Sequence, residues 1–243
     1  DYRGGGRSSA RESAARVAAG AIAQMLLKEC NIKVESGIYA IGDISATQYD
    51  FSYAKQSDIF ALDKTCETAQ KALIEKAKKM HNSIGGVAFI RAEGILAGLG
   101  EPLYHRLDGA LGAALMGLNA IKAVEIGDGV RSSMQYGNEH NDEMSKEGFM
   151  SNHSGGILGG ISNGNTLLLK AYFKPTPSIF IPQQTLDTQG EEQICHIKGR
   201  HDPCVAVRGS VVAKAMVALV LADMLLLHTT SQLSFIKKVY ECL

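Results

Sequence analysis

The longest apolar run in the chain, residues 215–227, is interrupted only by Asp223. A bilayer span needs about 20 consecutive apolar residues, so this run reads as part of a helix over 211–227, the most apolar of the chain. A helix that is apolar on all sides has to be covered by other layers, so it is read as a buried helix. Ala14, Val17, Ala18, Ala21, Ile22, Met25 and Leu26 recur at helical spacing and predict a helix over 13–29. Its many alanines permit close packing against a neighbouring layer. Lys33–Ile41 and residues 87–92, 124–126 and 166–173 read as strands, and 179–199 as a hairpin around Gln189-Gly190. Residues 67–80 read as a polar, surface-facing helix. Leu103, Leu107, Leu111, Leu115 and Leu118 mark another helix, and 232–242 a short final one. Helices and strands are intermixed without regular βαβ alternation, which predicts a layered α+β protein rather than a doubly wound parallel sheet. With 243 residues the chain can bury a substantial core, and residues 1–243 read as one domain.

Charge narrows the range of partners. The 25 basic and 25 acidic side chains cancel, which argues against a general nucleic-acid or anionic-membrane binder. Five cysteines, Cys30, Cys66, Cys195, Cys204 and Cys242, are odd in number and unpaired in pattern, so a reduced, cytoplasmic setting is expected.

Four segments carry candidate chemistry. Arg3-Gly4-Gly5-Gly6-Arg7-Ser8-Ser9-Ala10-Arg11-Glu12 runs three glycines toward a helix start, where backbone N–H groups and three arginines suit a phosphorylated ligand. Ser9 and Glu12 stand at capping-box spacing. The run at 154–164 holds five glycines before a strand and offers backbone donors to a flat or phosphorylated ligand. Lys174, Thr176 and Ser178, stiffened by Pro175 and Pro177, can address a phosphate. Gly199-Arg200-His201-Asp202-Pro203-Cys204 sets a cation, an imidazole and a carboxylate side by side. There Asp202 is expected to stay ionised and accept a proton, or to form an ion pair with Arg200. A zinc set from Cys195, His196, His201 and Cys204 matches no usual spacing, and 139–143 reads better as a solvated loop than as a metal cluster. A dinucleotide-binding reading fails because Gly4–Gly6 follow no visible strand and lack the G-x-G-x-x-G pattern.

Taken in order, residues 3–12, Gly98-Leu99-Gly100-Glu101-Pro102, 155–164 with 174–178, and 199–204 resemble the chorismate synthase family. Val124-Glu125-Ile126-Gly127-Asp128-Gly129, Ser151-Asn152-His153 and the helix at 215–223 are similar to it as well. The resemblance extends to about residue 228. It implies a fold of helices sandwiched between antiparallel sheets, assembled as a homotetramer. It also implies a lyase that removes phosphate and a proton from 5-enolpyruvylshikimate-3-phosphate by 1,4-anti elimination, giving chorismate. The family needs reduced FMN, which lends electron density as phosphate leaves, and some members reduce that flavin with NADPH. By the same resemblance, Arg7, Ser8, Ser9, Gly159, Lys174, Pro175, Thr176, Pro177 and Ser178 contact FMN. Asn119 and Ala120 resemble a flavin contact made from a neighbouring subunit. Arg200 matches a flavin contact close to the substrate, Arg11 lies where substrate anions are held, and Asp202 assists proton removal.

The departures from the family also set expectations. The family's two catalytic histidines and several substrate-clamping arginines belong to motifs upstream of the Gly-rich opening, so the chain reads as the later part of a longer protein, truncated at its start. One sheet is then expected to lack strands and to leave apolar surface uncovered. His81, His153 and His201 match other family positions and do not replace the missing histidines. Asn82 stands where the family often has Asp. The competing reading is a non-catalytic fragment that binds flavin or phosphate, or serves as an oligomeric core.

Overall fold

The computed structural model describes residues 6–241. Arg3, Gly4, Gly5 and Cys242 of the sequence reading therefore lie outside the described residues. In chain order the first elements are α1 (Ser13–Glu29), β1 (Lys33–Ile41), β2 (Ile44–Ser45), α2 (Phe51–Ala54), α3 (Lys64–Lys79), β3 (Gly86–Glu93), α4 (Leu107–Met116) and β4 (Ile121–Ile126). A long excursion follows with α5 (Gly137–His140) and the small ribbons β5 (Met144–Ser145), β6 (Gly148–Phe149), β7 (Ile157–Leu158) and β8 (Ile161–Ser162). The chain then returns through β9 (Leu167–Phe173), makes the hairpin β10 (Gln183–Leu186) and β11 (Glu192–Cys195), and ends in α6 (Ala206–His228) and α7 (Leu233–Tyr240).

Five strands form one antiparallel sheet in the order β2-β1-β3-β9-β4. Its two faces are built differently because side chains alternate along each strand. Ile38, Ala88, Ile90, Leu167, Leu169, Ala171 and Phe173 point to the face covered by α1, α4 and α6. Phe89 points the other way and packs with Phe51, Ala54 and Leu62 of the 46–62 segment. This is the expected α+β arrangement of a sheet against a helix layer. On its far side α1 leaves Ile22, Met25 and Leu26 exposed.

The central helix is longer than the apolar run predicts. α6 has 23 residues, starting at Ala206, and by length and composition alone it qualifies as a membrane span. Its packing against β1, β3, β9, α1 and α4 identifies it instead as the core helix, with Ala213, Val217, Ala218 and Leu221 fully buried. α1 crosses it where Gly20 faces Ala215. A Cβ built at position 20 would stand 2.4 Å from the Ala215 Cβ, so only glycine permits this approach.

α4 starts later than the leucine spacing suggests. Leu103 is exposed in the turn after Pro102, and the helix begins at Leu107. The backbone at Gly98 and Gly100 has φ +104 and +99, incompatible with a helix entering from that side.

Candidate functional site

The opening loop makes two 3-10 turns, Gly6–Ser8 and Ala10–Glu12, before α1. The expected capping box does not form. The Ser9 hydroxyl donates to the Gly6 carbonyl at 2.8 Å, a local turn bond that competes with capping. The Glu12 carboxylate lies 3.7 Å from Arg7, and Glu12 itself occupies the N-cap of α1 without a side-chain cap bond. Arg7 and Arg11 are exposed, and Arg11 pairs with no carboxylate among the described residues.

From this loop a continuous chain of contacts runs across the end of the sheet. The Asn119 side-chain amide donates to the Ser8 carbonyl at 2.9 Å. The next residue, Ala120, holds a left-handed φ of 70, a conformation that costs a non-glycine residue about 1 kcal/mol or more. Its carbonyl accepts the Lys174 N–H at 2.9 Å. Two residues on, the Thr176 carbonyl accepts the Ser83 hydroxyl at 2.6 Å. The Ile84 N–H then donates to the Pro203 carbonyl at 2.8 Å, which brings up the turn that carries Arg200 and Asp202. Phe180 closes this side, its ring 5.8 Å from His201 and 5.9 Å from His81. β4, β9 and β3 are neighbours, and Ile121, Phe173 and Gly86 stand in register. The antiparallel pairing thus gathers segments that the sequence scatters over nearly 200 positions.

Asp202 has a different partner from the one its neighbours suggest. Its Oδ1 lies 3.3 Å from Arg208 Nη2, on the first turns of α6, while Arg200 is exposed and pairs with no carboxylate among the described residues. Cys204 is buried behind it. Burial pushes its thiol up, away from the thiolate a nucleophile needs. Lys174 is also exposed and without a carboxylate partner among the described residues. Arg11, Lys174 and Arg200 thus leave positive charge uncompensated, as a site for phosphorylated molecules requires.

Gly159 stands apart. It sits with φ +60 at the tip of the β7-β8 hairpin, and a Cβ there would meet nothing within 4 Å. The hairpin precedes β9 whereas Lys174 follows it, which places the two at opposite ends of the sheet. Gly98-to-Pro102 buttresses this hairpin, with Gly98 N–H donating to the Ser162 carbonyl at 2.9 Å and the Leu99 carbonyl accepting Ser162 N–H at 2.9 Å. The start of α4 adds a bond from Leu107 N–H to the Gly160 carbonyl at 2.8 Å. Among the described residues no three His, Cys, Asp or Glu side chains gather as a metal-binding set.

Two buried polar atoms test whether this end of the sheet suits a bound cofactor. Thr176 Oγ1 and His201 Nε2 are two of seven buried side-chain polar atoms without a hydrogen-bond partner among the described residues, and a bound ligand is one way to satisfy such atoms. Both belong to the two segments where the resemblance puts flavin or substrate. Sequence reasoning missed Ser83 and Phe180, which join those segments. For Ser83 the one local signal was the Asn82-Ser83-Ile84-Gly85-Gly86 stretch, and Phe180 had none.

A family model described as chorismate synthase matches residues 1–226. The chorismate synthase of Helicobacter hepaticus is 76% identical over 241 residues, which cover 99% of this chain and 67% of that protein. That of Nitratiruptor sp. is 60% identical over 240 residues, with the same coverage. A crystal structure of chorismate synthase superposes with a TM-score of 0.78 at 30% identity, covering 96% of this chain and 69% of the other. Sequence and fold agree over nearly every described residue: the chain belongs to the chorismate synthase family.

Proposed function

We propose that the chain forms the greater part of a lyase that converts 5-enolpyruvylshikimate-3-phosphate into chorismate and inorganic phosphate with reduced FMN, in the cytoplasm. The observation that carries this reading is the contiguous surface from Ser8 through Asn119, Ala120, Lys174 and Thr176 to Asp202, with cations left unpaired around it. Substrate and cofactor are both phosphorylated, so the site needs several cations that no protein carboxylate already neutralises.

The donor set fits FMN. Lys174 is suited to the FMN phosphate, and Arg7, Ser8 and Ser9 supply a cation and hydroxyls on the facing loop. Thr176 Oγ1 and His201 Nε2 gain partners if binding opens the segments that seal them. When bound, reduced flavin supplies electron density to the substrate as the phosphate leaves. The remaining chemistry belongs to side chains. Arg11 and Arg200 hold anionic groups and stabilise the departing phosphate. Asp202 assists removal of the proton, with Arg208 fixing its carboxylate in place. Because one C–O bond breaks and one C–H bond is lost as a double bond forms, the reaction has no net redox change. NADPH, where it acts, serves only to reduce the flavin. We further propose that the chains self-associate as a homotetramer.

Anaerobic titration with reduced FMN, with and without substrate, tests the reading. The expected result is saturable flavin binding tightened by substrate. A chain completed to the length of its relatives is expected to release chorismate and phosphate in equal amounts. Flavin binding without chorismate in that completed chain overturns the lyase assignment and leaves the non-catalytic reading.

A further inference from the structure

The excursion between β4 and β9 contains a side-chain network to which neither the sequence nor the family comparison assigns a role. Asp128 Oδ2 accepts from His153 Nδ1 at 2.9 Å and from the Gln135 amide at 2.9 Å. Gln135 Oε1 in turn lies 3.0 Å from His140 Nδ1, and the two imidazole rings stand 5.9 Å apart. Asp142 braces the 151–154 segment from the other side. It accepts from the Ser151 hydroxyl at 2.6 Å, the His153 N–H at 2.7 Å and the Ser154 N–H at 3.0 Å. Both carboxylates are held below their usual range: burial pushes each up, and hydrogen bonds from these partners outweigh it.

This network sits at the root of the hairpin that carries Gly159. Asp128 N–H donates to the His153 carbonyl at 2.8 Å. The backbones of Gly127 and Gly155 touch: a Cβ at position 127 would lie 2.0 Å from the His153 carbonyl oxygen, and one at 155 would lie 2.3 Å from Gly127 N. Side chains cannot fill that crossing, so the polar tether beside it adds to the backbone bond in holding the two turns in register. The hairpin's other strand is already fixed, because Ser162 Oγ donates to the Leu96 carbonyl at 2.6 Å and accepts the Leu99 N–H at 2.9 Å.

We infer that Asp128 and His153 form a positioning pair that sets the β7-β8 hairpin, and through it Gly159, for contact with flavin. The inference rests on the flavin reading above for the ligand, and on the geometry alone for the tether. Neither residue touches the reacting atoms. His153 acts through its Nδ1 donor, so an asparagine at 153, whose amide nitrogen occupies nearly the same place, should substitute for it.

The test compares Asp128→Ala, His153→Ala, His153→Asn and the Asp128→Ala/His153→Ala double variant by amide hydrogen exchange and by titration with reduced FMN. Exchange over 155–164 is expected to accelerate by about tenfold in the first two variants, equivalent to about 1.4 kcal/mol. It should return toward the parent rate in His153→Asn. The double variant should lose less than the sum of the two single losses, because each removes the bond between the two side chains. Any excess in the Asp128 variant reports its bond to Gln135. Flavin affinity should follow the same order, with turnover at saturating flavin unchanged in the completed chain. Parent-like exchange in His153→Ala, or additive losses in the double variant, overturns the positioning role. If the parent binds no reduced FMN, the flavin reading fails, while exchange still decides the tether.

Discussion

Glu35 is the charge on which the sheet's outer face depends, and replacing it with glutamine gives a quantitative test. It lies on β1 opposite Arg91 of β3 and is only 5% exposed. One oxygen takes Lys33 at 3.0 Å and Lys55 at 2.9 Å, and the other takes Arg91 at 2.9 Å. Burial pushes the carboxyl up, but the hydrogen bonds from Lys55, Arg91 and Lys33 outweigh it and bring it from 4.5 down to about 2. At about 1.36 kcal/mol per pH unit, that displacement sets a ceiling of about 3 kcal/mol on its stabilisation of the fold. The Lys33 and Lys55 side chains are 58% and 64% exposed and can be hydrated once the carboxylate is gone. The expected loss for Glu35→Gln at pH 7 is therefore about 2 kcal/mol.

The sign of the pH dependence follows from the direction of the shift. A carboxyl with a depressed folded-state value stabilises fully above its unfolded value and loses that contribution as pH falls toward the folded one. By pH 3 about three-fifths of the difference between parent and variant should have vanished. Urea unfolding followed by far-UV circular dichroism at pH 7, 4 and 3 measures it. A difference below about 0.5 kcal/mol at pH 7, the range of an ordinary surface substitution, or a gap as wide at pH 3 as at pH 7, would falsify this reasoning.

Other substitutions probe the site and the helix layer. Asp202→Asn is expected to leave flavin binding largely intact and to lower turnover of the completed chain about 10²-fold or more, as removal of a proton-transfer group does. Unchanged turnover removes Asp202 from the mechanism. Lys174→Ala should weaken reduced FMN binding about tenfold or more, the scale of a charge-assisted hydrogen bond. Reduced riboflavin, which lacks the phosphate, should bind parent and variant alike, and an equal loss for both ligands would rule out a phosphate contact. Gly20→Val forces two branched carbons into the contact with Ala215, where even a Cβ stands at 2.4 Å. A loss of about 1–3 kcal/mol by thermal unfolding is expected, and an unchanged midpoint would show that α1 and α6 can part freely.

Much of the fold was legible because the pattern is local. α1 and β1 fall where helical spacing and the extended run at Lys33–Ile41 put them, and the hairpin turns at Gln189-Gly190 as expected. Leu103 misled because it stands four residues before Leu107 and continues the leucine rhythm across a turn that Pro102 and two left-handed glycines impose. α2 and the 3-10 turn Gly129–Met134 are too short to show an amphipathic pattern, and the one local signal for α2 is its N-cap Asp50, which accepts from the Ser52 and Tyr53 N–H groups. At the site, each motif could be found by resemblance. Their juxtaposition depends on which strands pair, and Ser83 and Phe180 matter only after β9 has been placed beside β3.

The position of Gly159 bears on how a complete site is built. β9 is a single antiparallel strand, so the hairpin before it and Lys174 after it must lie at opposite ends of the sheet. α4 spans a similar gap, with Leu107 bonded to Gly160 at one end and Asn119 just beyond the other. Its ten residues rise about 15 Å. If Gly159 and Lys174 serve one flavin, the proposed self-association gives a direct way to join them, with the hairpin of one copy meeting the Lys174 end of another. Mixing two completed variants that are each impaired, one at Lys174 and one with a bulky residue at Gly159, should then restore activity. Hybrid oligomers would contain some sites in which both contributed residues are intact, Gly159 from the Lys174 variant and Lys174 from the Gly159 variant. Activity no greater than the sum of the two parents, in oligomers shown to exchange subunits, would mean that both residues act within a single chain.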